Sequence, residues 1–154
     1  MKFSTREDID RPIDDVYAFM ADFDAFEDRI RDRGIKVSRK PGATPPELGA
    51  AWQAPVEWRG RRYEVDASLV NVEPGVGYAV ESKVGGVDSL AVVDLVALAK
   101  SKTRMFVSLE LTPTTLSSRI MIQSLKLTKG SLTKRFKSRV AMLADDIRKG
   151  ASAA

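Results

Sequence analysis

The chain has 154 residues, of which 44% are hydrophobic and 30% charged, and a formal net charge of +4. That length suits one domain, able to bury roughly 68–70% of its unfolded surface. It contains no cysteine and no histidine, which excludes disulfides, thiol nucleophiles, Cys-based metal sites and all Ser-His-Asp, Cys-His or zinc-water chemistry.

The charge is unevenly placed. Residues 1–99 hold 13 Lys+Arg against 18 Asp+Glu, and residues 100–154 hold 12 against 3. A basic cluster of this kind either attracts phosphate or anionic lipid head groups or simply solvates a helix face. Nucleic-acid binding would need aromatics interleaved with the basic residues. Phe106 and Phe136 are the only aromatics in that third, and Phe136 falls on an apolar stripe, so no nucleic-acid partner is expected. The segment Met1–Asp8 lacks the apolar core of a signal peptide. Apolar runs such as Leu95–Ala99 are far short of the ~20 residues a membrane span needs. A soluble, cytoplasmic protein is expected.

In chain order, Lys2–Ile9 is a strand with Phe3, Thr5, Glu7 and Ile9 on one face. A helix begins near Arg11-Pro12, with Asp10 as cap, Asp14 and Asp15 at its positive end, and Ile13, Val16, Tyr17 and Met20 as an inward stripe. Asp24 and Glu27 form a capping-box variant for a second short helix, whose apolar side is Phe23, Phe26 and Ile30 and whose stop is Gly34. Ile35–Lys40 is a short strand, and the Pro/Gly-rich segment 41–49 is an exposed loop.

Five strands follow: Ala50–Trp58, Arg62–Glu73, Gly77–Val84, Asp88–Ala99 and Thr103–Thr112, joined by turns at Arg59-Gly60, Pro74-Gly75, Gly85-Gly86 and Lys100–Lys102. Seven strands on tight turns imply an antiparallel meander. Leu116–Leu127 is either a helix capped by Ser117 or irregular chain over the end of the sheet. Gly130-Ser131 marks a break or kink, and Leu132–Lys149 is a helix with Leu132, Phe136, Val140, Leu143 and Ile147 as its apolar stripe. Helices gathered at the two ends of a sheet argue an α+β domain over residues 1–150, with 151–154 as a disordered tail.

The segment Ile9–Asp22, with its Arg11-Pro12 entry and helix ending in Asp22 before Phe23, resembles the opening of SRPBCC domains. That superfamily covers START lipid-transfer domains, polyketide cyclases and dehydratases, and the birch-pollen-allergen fold. Thr103–Pro113 resembles the superfamily's last strand before its long helix. The resemblance implies a helix-grip fold, in which a seven-stranded curved antiparallel sheet wraps around the C-terminal helix while two short helices close one end. It also implies an interior that takes a lipid, polyketide-like or aromatic molecule, and with it the leading expectation is a non-enzymatic carrier or sensor. It does not imply a reaction, and histidine-dependent chemistry of the superfamily, including an oxygenase-type iron site, is excluded here. No cofactor or metal is expected.

A ligand site in such a domain is a few polar groups in an apolar chamber. The candidate lining is Phe19, Phe23 and Phe26 near the mouth, Trp52, Trp58, Tyr63, Val65, Tyr78, Val80, Ser82, Val107 and Leu109 on the strands, and Phe136 and Val140 on the long helix. The two tryptophans are either cavity wall or plain core. Small residues at strand positions facing the helix, including Ala54, Ala67 and Ser82, leave the hollow unfilled, so a void of about 300–1,000 Å³ is expected. Glu7 is a candidate acid or base if it shares the chamber with a tyrosine hydroxyl, or else a strand-end carboxylate. Asp94, out of phase with Ala91, Val93, Leu95 and Ala97, points outward. The alternatives are a cyclase, dehydratase or isomerase using carboxyl and tyrosyl groups, and an interaction module with a filled core. A patch of Lys126, Lys129, Lys134, Arg135 and Lys137 would assist docking at an anionic membrane surface.

Overall fold

One edge of the sheet joins strands distant in sequence: β1 (Lys2–Ile9) pairs with β7 (Lys102–Pro113), which pairs with β6 (Val87–Ala99). The meander continues through β5 (Gly77–Val84), β4 (Arg61–Glu73), β3 (Ala51–Trp58) and β2 (Ser38–Arg39), giving one antiparallel sheet in the order β1-β7-β6-β5-β4-β3-β2. Two short helices, α1 (Ile13–Met20) and α2 (Phe23–Asp32), separate β1 from β2 and so send those strands to opposite edges. After β7 come α3 (Leu116–Lys126) and α4 (Lys129–Arg148). This structure, a computed structural model, describes residues 1–150; the tail expected at 151–154 lies outside the described residues.

The curved sheet holds α4 against its concave face, where α4 packs on β1 and α1. The end of α4 is latched by hydrogen bonds: Arg148 Nη2 donates to the Asp8 carbonyl at 2.7 Å, and Arg11 Nη2 donates to the Arg148 carbonyl at 3.0 Å. Two packed clusters result. One joins Ile9, Val16, Phe19, Met20, Met105 and the buried half of α4, Val140, Ala144 and Ile147. The other joins Val37, Ala50, Trp52, Ala54 and Leu69 beneath α2. Tyr78 touches both.

Several local expectations are corrected. Asp10 does not cap α1; Pro12 occupies that position and its carbonyl accepts from the Asp15 and Val16 amides. Asp22, not Asp24, caps α2, accepting from the Ala25 amide at 3.1 Å, because Glu27 is turned inward and cannot complete a capping box. The strand expected over Ile35–Lys40 shrinks to Ser38–Arg39, since only those residues pair with β3. The cap of α3 is Thr115, in a reciprocal box with Ser118, rather than Ser117. The break expected at Gly130-Ser131 falls earlier, at Leu127-Thr128, and α4 runs unbroken through the glycine.

Candidate functional site

The N-terminal half of α4 packs on β1 through Phe136 and Phe3 and leaves space against β3 and β4. An outer cavity of about 660 Å³ lies under α3 and the start of α4. Its sheet wall carries Phe3, Trp58, Tyr63, Val65, Leu109 and Leu111, and its helical wall carries Met121, Ile122, Leu125, Leu132 and Phe136. Phe3 and Phe136 close one side with ring centroids 5.9 Å apart. Exposed residues mark the mouth: Glu57, Arg135 and Arg139, with Trp58 38% exposed and the Arg59 guanidinium 4.5 Å from its ring centroid.

An inner cavity of about 350 Å³ adjoins the first, since Val56 and Val65 line both. It runs beneath α2, between Phe23, Phe26 and Ile30 on the helix and Trp52, Val80 and Ser82 on the strands. Ala54 and Ala67 lie on its sheet wall, where larger side chains would fill it.

The inner cavity has one ionisable group at its wall. Glu27 is 6% exposed. Its Oε2 accepts the Trp52 indole N–H at 2.8 Å and the Arg39 Nε–H at 2.7 Å, and Oε1 lies 3.6 Å from Arg31 Nη2. Arg39 also binds Asp24. A buried carboxylate needs such partners to offset its lost hydration. Its lone pairs are thus directed to the α2–β2–β3 tether rather than to the void. Sequence spacing presents Glu27 only as a capping residue; its burial depends on Trp52 and Arg39, which chain proximity does not reveal.

Most candidate lining residues reach one chamber or the other. Trp58, Tyr63, Val65, Leu109 and Phe136 line the outer cavity, and Phe23, Phe26, Trp52, Val65, Val80 and Ser82 the inner one. Four lie elsewhere: Phe19 and Val140 belong to the packed cluster around α4, and Tyr78 and Val107 pack against it. The Tyr78 hydroxyl donates to the Met20 carbonyl at 2.6 Å, and burial, with the nearby Tyr17 second, raises its pKa well above the usual tyrosine range. Glu7 is half-buried but lines neither cavity and makes no hydrogen bond or ion pair among the described residues. Asp94 is exposed on the outer face of β6.

The lining from α3 was not anticipated. The inner-facing set Met121, Ile122 and Leu125 becomes visible only once Leu116–Lys126 is known to be a helix. Gly85, at φ +53°, is a second omission: an added Cβ would sit 2.8 Å from the Tyr63 ring, so the turn glycine lets an edge of that ring approach the β5–β6 hairpin. Among the described residues, no three or more Asp or Glu gather where they could hold a metal ion, and no helix is long and apolar enough to cross a membrane.

No protein-family model matches the chain, and no curated protein matches it. Solved structures do. Norcoclaurine synthase from Thalictrum flavum, determined with dopamine and hydroxybenzaldehyde, is 15% identical with a TM-score of 0.64, covering 98% of this chain and 86% of that one. The Zhui aromatase/cyclase from Streptomyces sp. R1128 is 11% identical with a TM-score of 0.66, covering 97% and 94%. The protein TTHA0849 from Thermus thermophilus is 13% identical with a TM-score of 0.64, covering 99% and 100%. At these identities the likeness is one of fold, and it agrees with the strand order, the two short helices after β1 and the helix in the concave face: the chain has a helix-grip fold.

Proposed function

We propose that the protein binds a small hydrophobic molecule, a lipid, a polyketide-like compound or an aromatic compound, in the paired cavities, as a soluble carrier or sensor. One observation carries this reading: an apolar void of about 660 Å³ adjoining another of about 350 Å³, within the range of small-molecule sites. Ala54 and Ala67 stand where larger side chains would fill the inner space, so the apolar lining is left open to a ligand instead of being packed. Related folds support the ligand class, since norcoclaurine synthase is seen with dopamine and hydroxybenzaldehyde.

An acid–base enzyme would set a carboxyl beside a tyrosine hydroxyl at the chamber. Glu7 is outside both cavities, Glu27 is held by two hydrogen-bond donors and an ion pair with Arg31, and Tyr78 donates to a backbone carbonyl. None of these observations favours the enzyme. The module with a filled core is likewise disfavoured by the two voids.

The test is native mass spectrometry and organic extraction of the purified protein, with titration by a neutral fluorescent probe such as 1-aminoanthracene. A co-purifying apolar compound, or saturable probe uptake that shifts the emission of Trp58 and Trp52, is the expected result. A bare mass together with no probe uptake would overturn the reading.

A further inference from the structure

Helix α3 has two apolar faces. At 3.6 residues per turn, Leu116, Ile120 and Leu127 fall within about 40° of one another, and Ser118, Met121, Ile122 and Leu125 fall on the opposite side. The second set has a clear role: Ile122 and Ser118 are buried, and Met121, Ile122 and Leu125 wall the outer cavity. The first set has no partner. Leu116 is 75% exposed, Ile120 63% and Leu127 88%. Single exposed apolar residues need no explanation, but an aligned ridge marks an interaction surface.

The surrounding charge says what the ridge meets. Residues 111–144 contain seven Lys or Arg and no Asp or Glu. Arg119 and Lys126 flank the ridge on α3, and Lys129, Lys134 and Lys137 continue the positive field along α4, all of them exposed. A second copy of the chain meeting here face to face would press this cationic surface against itself. An anionic bilayer suits both features: its head groups attract the basic rim, and its acyl boundary accepts the apolar ridge.

We propose that the outer face of α3 docks on anionic lipid bilayers, with Leu116, Ile120 and Leu127 entering the interface and Arg119, Lys126 and Lys129 meeting head groups. Docking brings the helix that walls the outer cavity onto the lipid surface, so cargo enters and leaves beside it. The cargo clause rests on the ligand reading above; the docking itself does not.

The experiment is co-sedimentation of the full chain with vesicles of phosphatidylcholine alone or mixed with phosphatidylglycerol, at low and high salt. The protein should pellet with the anionic vesicles, less so as salt rises, and hardly at all with phosphatidylcholine. The triple variant Leu116→Gln, Ile120→Gln, Leu127→Gln alters only exposed positions and keeps good helix formers. It should bind about tenfold more weakly or worse, with melting temperature and 1-aminoanthracene uptake unchanged. The pair Arg119→Glu, Lys126→Glu should weaken binding comparably. No preference for anionic vesicles, or a triple variant that pellets like the parent, would overturn the proposal. So would a parent dimer in solution that the triple variant converts to monomer. Vesicle binding by a protein that shows a bare mass and no probe uptake would uphold docking while removing the ligand reading.

Discussion

Tyr78 stands where α1, α2 and the sheet converge, its ring 5.1 Å from that of Phe23 and its hydroxyl on the Met20 carbonyl. Tyr78→Phe removes that hydrogen bond and should cost about 0.5–1.5 kcal/mol near neutral pH. Burial raises the folded pKa above the unfolded value. The stability Tyr78 contributes is therefore complete below the unfolded pKa, about 10, and is lost as pH rises toward the folded one. Between pH 8 and about pH 11 the parent should lose stability that Tyr78→Phe keeps, on the order of 1 kcal/mol, measured as urea midpoints at both pH values. Parallel losses would mean the hydroxyl is open to water. Gly77 is constrained differently: an added Cβ would lie 2.1 Å from the Val93 carbonyl oxygen on the neighbouring strand. Gly77→Ala should cost about 1–3 kcal/mol, since backbone must move to admit it.

Along α4, the residues buried in the packed cluster and those walling the cavity should respond differently. Ile147 is 3% exposed and belongs to the packed cluster, so Ile147→Ala should cost about 2–5 kcal/mol. Phe136 is half-buried and already borders empty space, so Phe136→Ala should cost less than the ~3–5 kcal/mol typical of an enclosed phenylalanine. Denaturant titration of both variants checks the order. The stripe Leu132, Phe136, Val140, Leu143 and Ile147 was legible because a helix repeats its buried face every 3.6 residues. Strand alternation was legible in β7 for the same kind of reason. In β4 it was legible through Tyr63, Val65, Ala67 and Leu69, but a bulge between Leu69 and Asn71 then flips the phase, so that Val72 also reaches the second cluster. The α3–α4 boundary was misplaced because glycine reads as a breaker, yet Gly130 sits in the first turn of α4 with open space around its Cα. Gly130→Ala should therefore be neutral or stabilising by up to about 1 kcal/mol. Thermal melting would show a clear loss instead if the glycine were needed.

At the scale of the whole molecule, two packed clusters bracket a space that neither fills. The long helix is anchored through its C-terminal half by Val140, Ala144, Ile147 and the Arg148 latch, while its N-terminal half meets β1 through Phe136 and Phe3 and leaves space against β3 and β4. The void was foreseeable from small residues facing the helix, but its division was not, because Val56 and Val65 narrow it only once β3 and β4 are in register, with Ala54 opposite Val65 and Val56 opposite Tyr63. Val65 touches both chambers, which makes it the position where stability and binding can be separated. In a filled core, Val65→Phe would overpack and cost about 1–3 kcal/mol. Here the added ring enters empty apolar space, and burying it should leave the melting temperature unchanged or raise it. The same ring occupies ligand volume in both chambers, so 1-aminoanthracene uptake should fall about tenfold or more. A variant that is destabilised yet binds the probe as the parent does would mean that the space at Val65 closes in solution and is not where ligand resides.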